Sequence, residues 1–374
     1  MATSFKTFDT TKDSVVTRNL LHEAIPVTGT IVSGTYNNVA TAAEHNIKNY
    51  SHGMFQSVFD YPFLSSSANH IFDLTAGYPA TSSLSGTSAT HVQNAKKINI
   101  YNQMAQVLAG FDANGSIREF DEDGDLTGGT KIDEAYFINI TRLLSKDEIK
   151  KGSFSFAVGT GADFATPFTS KLTITDKSGS NGYKVNSPAG EYGILYATCS
   201  LPGIVDESKF SRAADGGYYA PAGLIYYQAG VAVLTASIFG SLLNMPVSMS
   251  LTEGVGPHPS ASVSHFLTSS AISGNCDAFR HRMQNLAFNN STELNSTVYF
   301  CRANNTDFNY SSNPTYLSQS KMVVKNNSQD VPVSYVTSVG LYSADNELLA
   351  TAKLSEPLKK DPATEFTIRV RLDY

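Results

Sequence analysis

Apolar and polar positions alternate most cleanly near the C-terminal end of the chain. Leu348, Ala350, Ala352 and Leu354 fall on one face of an extended segment, with Glu347, Thr351 and Lys353 on the other. Phe366, Ile368, Val370 and Leu372 alternate in the same way with Thr367, Arg369, Arg371 and Asp373. A period of two marks a half-buried strand. A turn at Ser343–Asn346 joins the 348–354 strand to a preceding one, Val333 to Tyr342, so three antiparallel strands with one polar face each are expected to pack on one side only.

Further upstream, Phe154, Phe156 and Val158 alternate with polar positions, as do Leu172 and Ile174. Tyr192 to Thr198 and Leu224 to Phe239 are nearly continuous apolar runs, which predicts buried central strands. The helical period appears between Ser88, a possible N-cap, and Gly110, a closing residue. Ile98, Tyr101, Ala105 and Leu108 keep helical spacing there. The acidic stretch Asp121–Asp125 leads into a strand at Tyr136–Ile140. The first 80 residues, punctuated by Pro26, Gly29, Gly34 and the serines at 65–67, read as an extended, partner-contacting arm. The expected fold is mainly β, with antiparallel sandwich-like sheets and a smaller helical N-terminal portion, α+β overall. Its divisions are an N-terminal arm and helical region (1–130), a β domain (131–280) and a C-terminal antiparallel β region (281–374).

Charge narrows the function classes. Of 374 residues, only 16% are charged while 41% are apolar, and the net charge is −6. With no Lys/Arg-rich block, the basic footprint of a nucleic-acid binder is missing. The apolar fraction argues against wholesale disorder. Three cysteines, Cys199, Cys276 and Cys301, form no CxxC and no disulfide framework, which suits a reducing compartment. The N-terminus lacks the apolar core of a secretory signal. The stretch from Gly216 to Thr252 carries no charge, but Pro221, Gln228, its glycines and its β-forming residues make it a buried strand pair rather than a membrane span.

Motifs that carry catalysis are absent or incomplete. His22-Glu23 opens like a zinc-protease helix, but the position of the second histidine is Pro26. His45 and His52 lack further ligands nearby. Gly159-Thr-Gly161 is followed by Phe164 where a dinucleotide fingerprint requires glycine. Asp121, Asp123 and Asp125 alternate as calcium ligands do, yet Gly124 is misplaced and Ile132 stands where a bidentate glutamate belongs. That loop reads first as a solvated acidic turn, with an ion site as the alternative. Asn-X-Ser/Thr triplets between Asn289 and Asn327 read as turn and strand-edge chemistry. No catalytic residue, cofactor-binding residue or metal ligand is assigned, and no cofactor is expected.

Several longer runs have a recognisable character. They are Lys146–Phe156 (KDEIKKGSFSF), Gly223–Phe239 (GLIYYQAGVAVLTASIF), Thr306–Tyr316 (TDFNYSSNPTY), Val336–Ser355 (VTSVGLYSADNELLATAKLS) and Arg369–Tyr374 (RVRLDY). Together they resemble virion structural proteins of large contractile-tailed bacteriophages, marine and cyanobacterial ones in particular, associated with the tail and baseplate. The resemblance implies a non-enzymatic subunit of the virion, assembled in the host bacterial cytoplasm. Its partners would be other tail and baseplate proteins and further copies of itself in a symmetric assembly, with no nucleic acid and no membrane span. The 216–252 segment and the C-terminal sheet are the expected contact surfaces. Two other readings stand beside it. One is a fibre-like module binding host glycans through Tyr218, Tyr219, Tyr226 and Tyr227; the other is a polysaccharide-degrading enzyme with a carboxylate pair not evident from spacing.

Overall fold

Strands with apolar side chains on both faces cannot leave either face in water, and such strands form the middle of the larger of two units. The computed structural model describes residues 6–23, 47–59, 64, 67–124, 128–141, 144, 148–161, 167–199, 207–214, 216–240, 263–309, 317–318, 321–322, 329 and 331–373. One unit comprises residues 22–292, the other 1–21 with 293–374. In chain order the first elements are β1 (Ser14–Glu23), β2 (Ile47–Asn49), β3 (Gln56–Phe59), β4 (His70–Gly77), α1 (Asn94–Leu108), β5 (Ala135–Asn139), β6 (Glu148–Ile149), β7 (Ser155–Gly159) and β8 (Lys171–Thr175). Next come α2 (Gly179–Gly182), β9 (Lys184–Ser187), β10 (Gly190–Cys199), β11 (Ser211–Arg212), β12 (Tyr218–Tyr226), β13 (Val231–Thr235), α3 (Val263–Ser269), α4 (Ile272–His281) and β14 (Met283–Ala287). The last are β15 (Asn290–Ala303), β16 (Leu317–Ser318), β17 (Lys321–Met322), β18 (Ser334–Tyr342), β19 (Leu348–Lys360) and β20 (Phe366–Asp373).

The larger unit is built on one antiparallel sheet in the order β14-β7-β8-β10-β12-β13-β5-β4-β3-β2, with β9 added on β10 and β11 on β12. Every residue of β13 and the first four of β5 are buried. Adjacent residues of β5 show why. Tyr136 stacks on Phe279 of α4, with ring centroids 4.4 Å apart. Phe137, pointing to the opposite face, meets Tyr101 of α1 at 6.2 Å and Phe120 at 5.8 Å. Helices thus cover both faces of the central strands, which explains apolar runs that antiparallel sheets with one wet face do not carry. The uncharged stretch belongs to this layer: its described part, through β12, β13 and Phe239, is largely buried within the unit itself, and residues 241–252 lie outside the described residues.

The position of α1 depends on a close approach and a buried cation. A Cβ at Gly77 of β4 would lie 2.6 Å from the Lys97 carbonyl oxygen, so only glycine lets the helix sit directly on the strand. The Lys97 ammonium, fully buried, donates to the carbonyls of Val92 (2.7 Å), Ser270 (2.7 Å) and Leu267, capping the C-terminal end of α3. Burial pushes its pKa down to about 8, which leaves it charged at neutral pH. Gly110 closes α1 as expected, at φ +80°. Ser88 does not begin it. The helix starts at Asn94 after Gln93, and the Ser88 hydroxyl instead bonds Thr90 and His91.

Three features correct the fold read from sequence. A helical N-terminal portion is not seen: the chain is mostly β, and α1, α3 and α4 lie within residues 94–281. Within the first 80 residues, 56–59 and 70–77 are strands of the large sheet in which Val58, Phe72, Leu74 and Ala76 are fully buried, so these two stretches are not held out as an arm. In the smaller unit β20 does not complete a sheet with β18 and β19. It pairs with β15, from Ser296↔Asp373 to Ala303↔Phe366, while among the described residues β18 and β19 pair with each other. Alternation fixes which residues share a face but not which strand is the neighbour. Among the described residues, no helix is long and apolar enough to cross a membrane.

The two units differ in how completely they are covered, and mutation should report it. Phe279→Ala removes the ring that Tyr136, Phe156 and Phe239 pack against and is expected to cost about 3–5 kcal/mol in urea denaturation. Val339→Ala in the half-covered smaller unit is expected to cost less than about 1 kcal/mol. Equal costs would contradict this picture.

Candidate functional site

Two places in the described structure combine exposure with unsatisfied chemistry: a polar cleft in the larger unit and the strand surface of the smaller one.

The cleft is shaped by the hairpin that precedes β5. Tyr101 of α1 pins its base, donating its hydroxyl proton to Ile132 O (2.8 Å) and accepting from Phe120 N (3.1 Å). Glu122 N bonds Thr130 O (3.0 Å), and Asp121 forms a bridge and a buried ion pair with Lys131. Beside this hairpin opens a cleft of about 200 Å³. Glu122, Asp133 and Glu134 line it together with Lys209 and six serine and threonine hydroxyls. Ser264 of α3 donates to Glu134 Oε2 at 2.9 Å. Burial raises the pKa of all three carboxyls; Lys209 opposes the rise in each, while neighbouring carboxylates add to it. Such a lining favours hydrogen bonding to a polyhydroxyl compound or neutralisation by a cation. Among the described lining residues there is no histidine, cysteine or aromatic ring.

None of these carboxylates stood out by motif, but a signal was present. Residues 112–134 hold eight acidic and two basic residues, a local charge equal to that of the whole chain. The calcium-like loop lies inside this stretch. Asp121 and Asp123 do come together around Gly129, at 3.2 and 3.3 Å from where its Cβ would stand, but Lys131 already provides the cation for Asp121. Asp125 lies outside the described residues. Among the described residues, no group of three or more His, Cys, Asp or Glu side chains is arranged to hold a metal ion.

The proposed aromatic platform is not assembled. Tyr226 and Tyr227 are fully buried, Tyr226 stacking on Tyr192 at 5.1 Å and Tyr227 lying under the Lys151 ammonium at 5.4 Å. Only Tyr219 is exposed. Successive strand residues point to opposite faces, which splits the pairs. His22 and His45 have no described side chains, and His52 stacks on Tyr50 at 5.1 Å. Cys199, Cys276 and Cys301 are all free thiols.

In the smaller unit, Val339, Leu341, Ala350 and Ala352 are half-buried over an apolar groove of about 110 Å³, floored by Tyr299 and Val370. Tyr335, Tyr342, Leu348, Leu349 and Leu358 of these two strands are exposed, Leu349 to 63%. No residue of β18, β19 or β20 joins the buried core. Of the runs singled out in the sequence, 336–355 and 369–373 fall on this surface, whereas 223–239 is interior.

The raised carboxyls give the cleft a pH signature. The folded chain keeps protons that the unfolded chain releases once pH passes the ordinary carboxylate range, so stability from these groups is full below that range and falls as pH climbs through the raised values. Glu134→Gln should therefore lose less stability than the wild type as pH rises above the ordinary carboxylate range in urea denaturation. An unchanged loss would show that Glu134 does not titrate there.

No family model, curated protein or solved structure matches this chain.

Proposed function

We propose that this chain is a non-enzymatic structural subunit of a bacteriophage particle, in the tail or baseplate, acting through contacts with neighbouring subunits. The observation that carries the proposal is the state of the smaller unit. Its three long C-terminal strands place apolar residues on an ordered surface and leave them half-covered or exposed. A two-stranded ribbon such as β18–β19 has little stability in water alone, and exposed apolar area of this kind marks a protein–protein contact. Resemblance of the 336–355 and 369–374 runs to virion proteins points the same way. The chain would be assembled in the host bacterial cytoplasm, where three free thiols stay reduced.

A second reading draws on the cleft. Carboxylates and hydroxyls around about 200 Å³ suit a sugar, which favours a host-surface glycan-binding module. The described lining offers no aromatic ring on which a sugar could stack.

Mass spectrometry of gradient-purified particles separates the two. The structural reading expects the chain at a stoichiometric copy number with no binding on a glycan array. Absence from the particle would overturn it.

A further inference from the structure

Residues 6–13 of the smaller unit lie as a strap against β15, held by charge and not by burial. Every residue from Lys6 to Lys12 is exposed, Phe8 to 38%. Asp9 turns the strap back on itself: its carbonyl accepts from Lys12 N (3.0 Å) and Asp13 N (2.8 Å), and its carboxylate from Thr11 N (3.0 Å). Phe8 meets Tyr299, ring centroids 5.6 Å apart, at the apolar groove that Cys301, Val339, Ala352 and Val370 also line. Lys6 ties one end of the strap, its ammonium donating to Asp307 Oδ2 (2.8 Å) and Arg302 O (3.0 Å). Asp13 ties the other: its carboxylate pairs with Arg302 Nε (3.2 Å), and its carbonyl accepts from Phe300 N (2.8 Å). The Arg302 guanidinium also donates to Lys12 O (3.0 Å).

We propose that residues 6–13 are a salt-sensitive latch on the apolar groove: closed, Phe8 covers Tyr299; open, Tyr299 and Cys301 face solvent. The segment that covers the groove is thus part of this chain. Exposed ion pairs contribute little and are screened by salt, and a segment with few buried apolar contacts opens locally at low free energy. The strand beneath does not depend on the strap, because β15 stays paired with β20 from Ser296 to Ala303. Lys6 and Asp13 both meet the 300–307 stretch, so loss of either tie frees one end of the strap while the other remains. The inference rests on the assembly reading only for its use: opening adds Tyr299 to the apolar surface that a neighbouring subunit would cover.

Labelling of the full chain with N-ethylmaleimide, read by peptide mass spectrometry, tests it, with Cys301 as the reporter and the fully buried Cys276 of the larger unit as the control for unfolding. Raising salt from about 0.1 M to about 1 M cuts the screening length from about 10 Å to about 3 Å. Wild-type Cys301, measured relative to a small thiol in the same buffer, should then label about two- to fivefold faster, the range that exposed ion pairs hold back. Lys6→Glu should label at low salt as fast as the wild type at high salt, and Lys6→Arg should behave as the wild type. Phe8→Ala should label fast at every salt concentration. The Phe300 amide should exchange faster under the opening conditions, while the other β15 amides keep their protection. Wild-type labelling independent of salt overturns the latch, as does Lys6→Glu indistinguishable from the wild type, or labelling of Cys276 at the rate of Cys301. Salt acts on the unaltered chain, so the result does not hang on the folding of any variant. Salt-gated labelling in a chain absent from particles would keep the latch and remove the structural reading, whereas a chain stoichiometric in particles with an insensitive Cys301 would do the reverse.

Discussion

Covering both faces of β5 and β13 is the constraint on which the larger unit depends. Antiparallel strands can leave one face to water, but Tyr136 and Phe137 are adjacent, bulky and buried on opposite faces. Once they are in place, α4 must lie on one side and α1 on the other. The polar contacts that hold these helices follow from that need. Lys97 ties α1 to the end of α3, Gln56 of β3 donates to Asp277 of α4 at 2.8 Å, and Arg280 pairs with Asp277 at 2.7 Å. A buried pair like Asp277–Arg280 adds little net stability; what it supplies is a defined seat for α4, whose apolar face makes the favourable contacts.

The smaller unit obeys the same rule and stops short of satisfying it. β20 alternates regularly while the β18–β19 ladder shifts register twice, and the apolar residues of these three strands are half-buried or exposed, tyrosines and leucines among them. An incomplete core in a protein whose other unit is closed is the physical basis for reading this surface as one that neighbours complete. The polar cleft is a separate matter. Its raised carboxyls reflect burial without enough positive charge, and that condition alone does not make a reaction.

Much of this was legible in the chain, and the failures have identifiable causes. The continuous apolar run at 224–239 marked strands buried on both faces, whereas 192–198 lies within the sheet but alternates buried positions with half-buried or exposed ones. Helical spacing at Ile98, Tyr101, Ala105 and Leu108 marked α1, although its start was displaced from Ser88 because Gln93, in a left-handed conformation, begins the helix without a side-chain cap. The N-terminal residues misled because Gln56–Phe59 and His70–Gly77 are short, turn-flanked segments whose place in the sheet depends on the pairing of His70–Gly77 with β5, more than 50 residues away. Pairing of β20 with β15 instead of β19 was invisible for the same reason: period-two alternation carries no information on partners. The cleft was hidden because Glu122, Asp133 and Glu134 meet through a hairpin, while the uncharged 216–252 stretch, suggestive of an interface, is explained for its described part by the unit's own core.

Hydrogen exchange of the backbone amides, measured on the isolated chain and on the assembled particle, tests the central claim most directly. The account predicts that β5 and β13 are protected in both states, and that β18, β19 and β20 exchange fast in the isolated chain and slowly in the assembly. Equal protection of β18–β20 in the two states would contradict it.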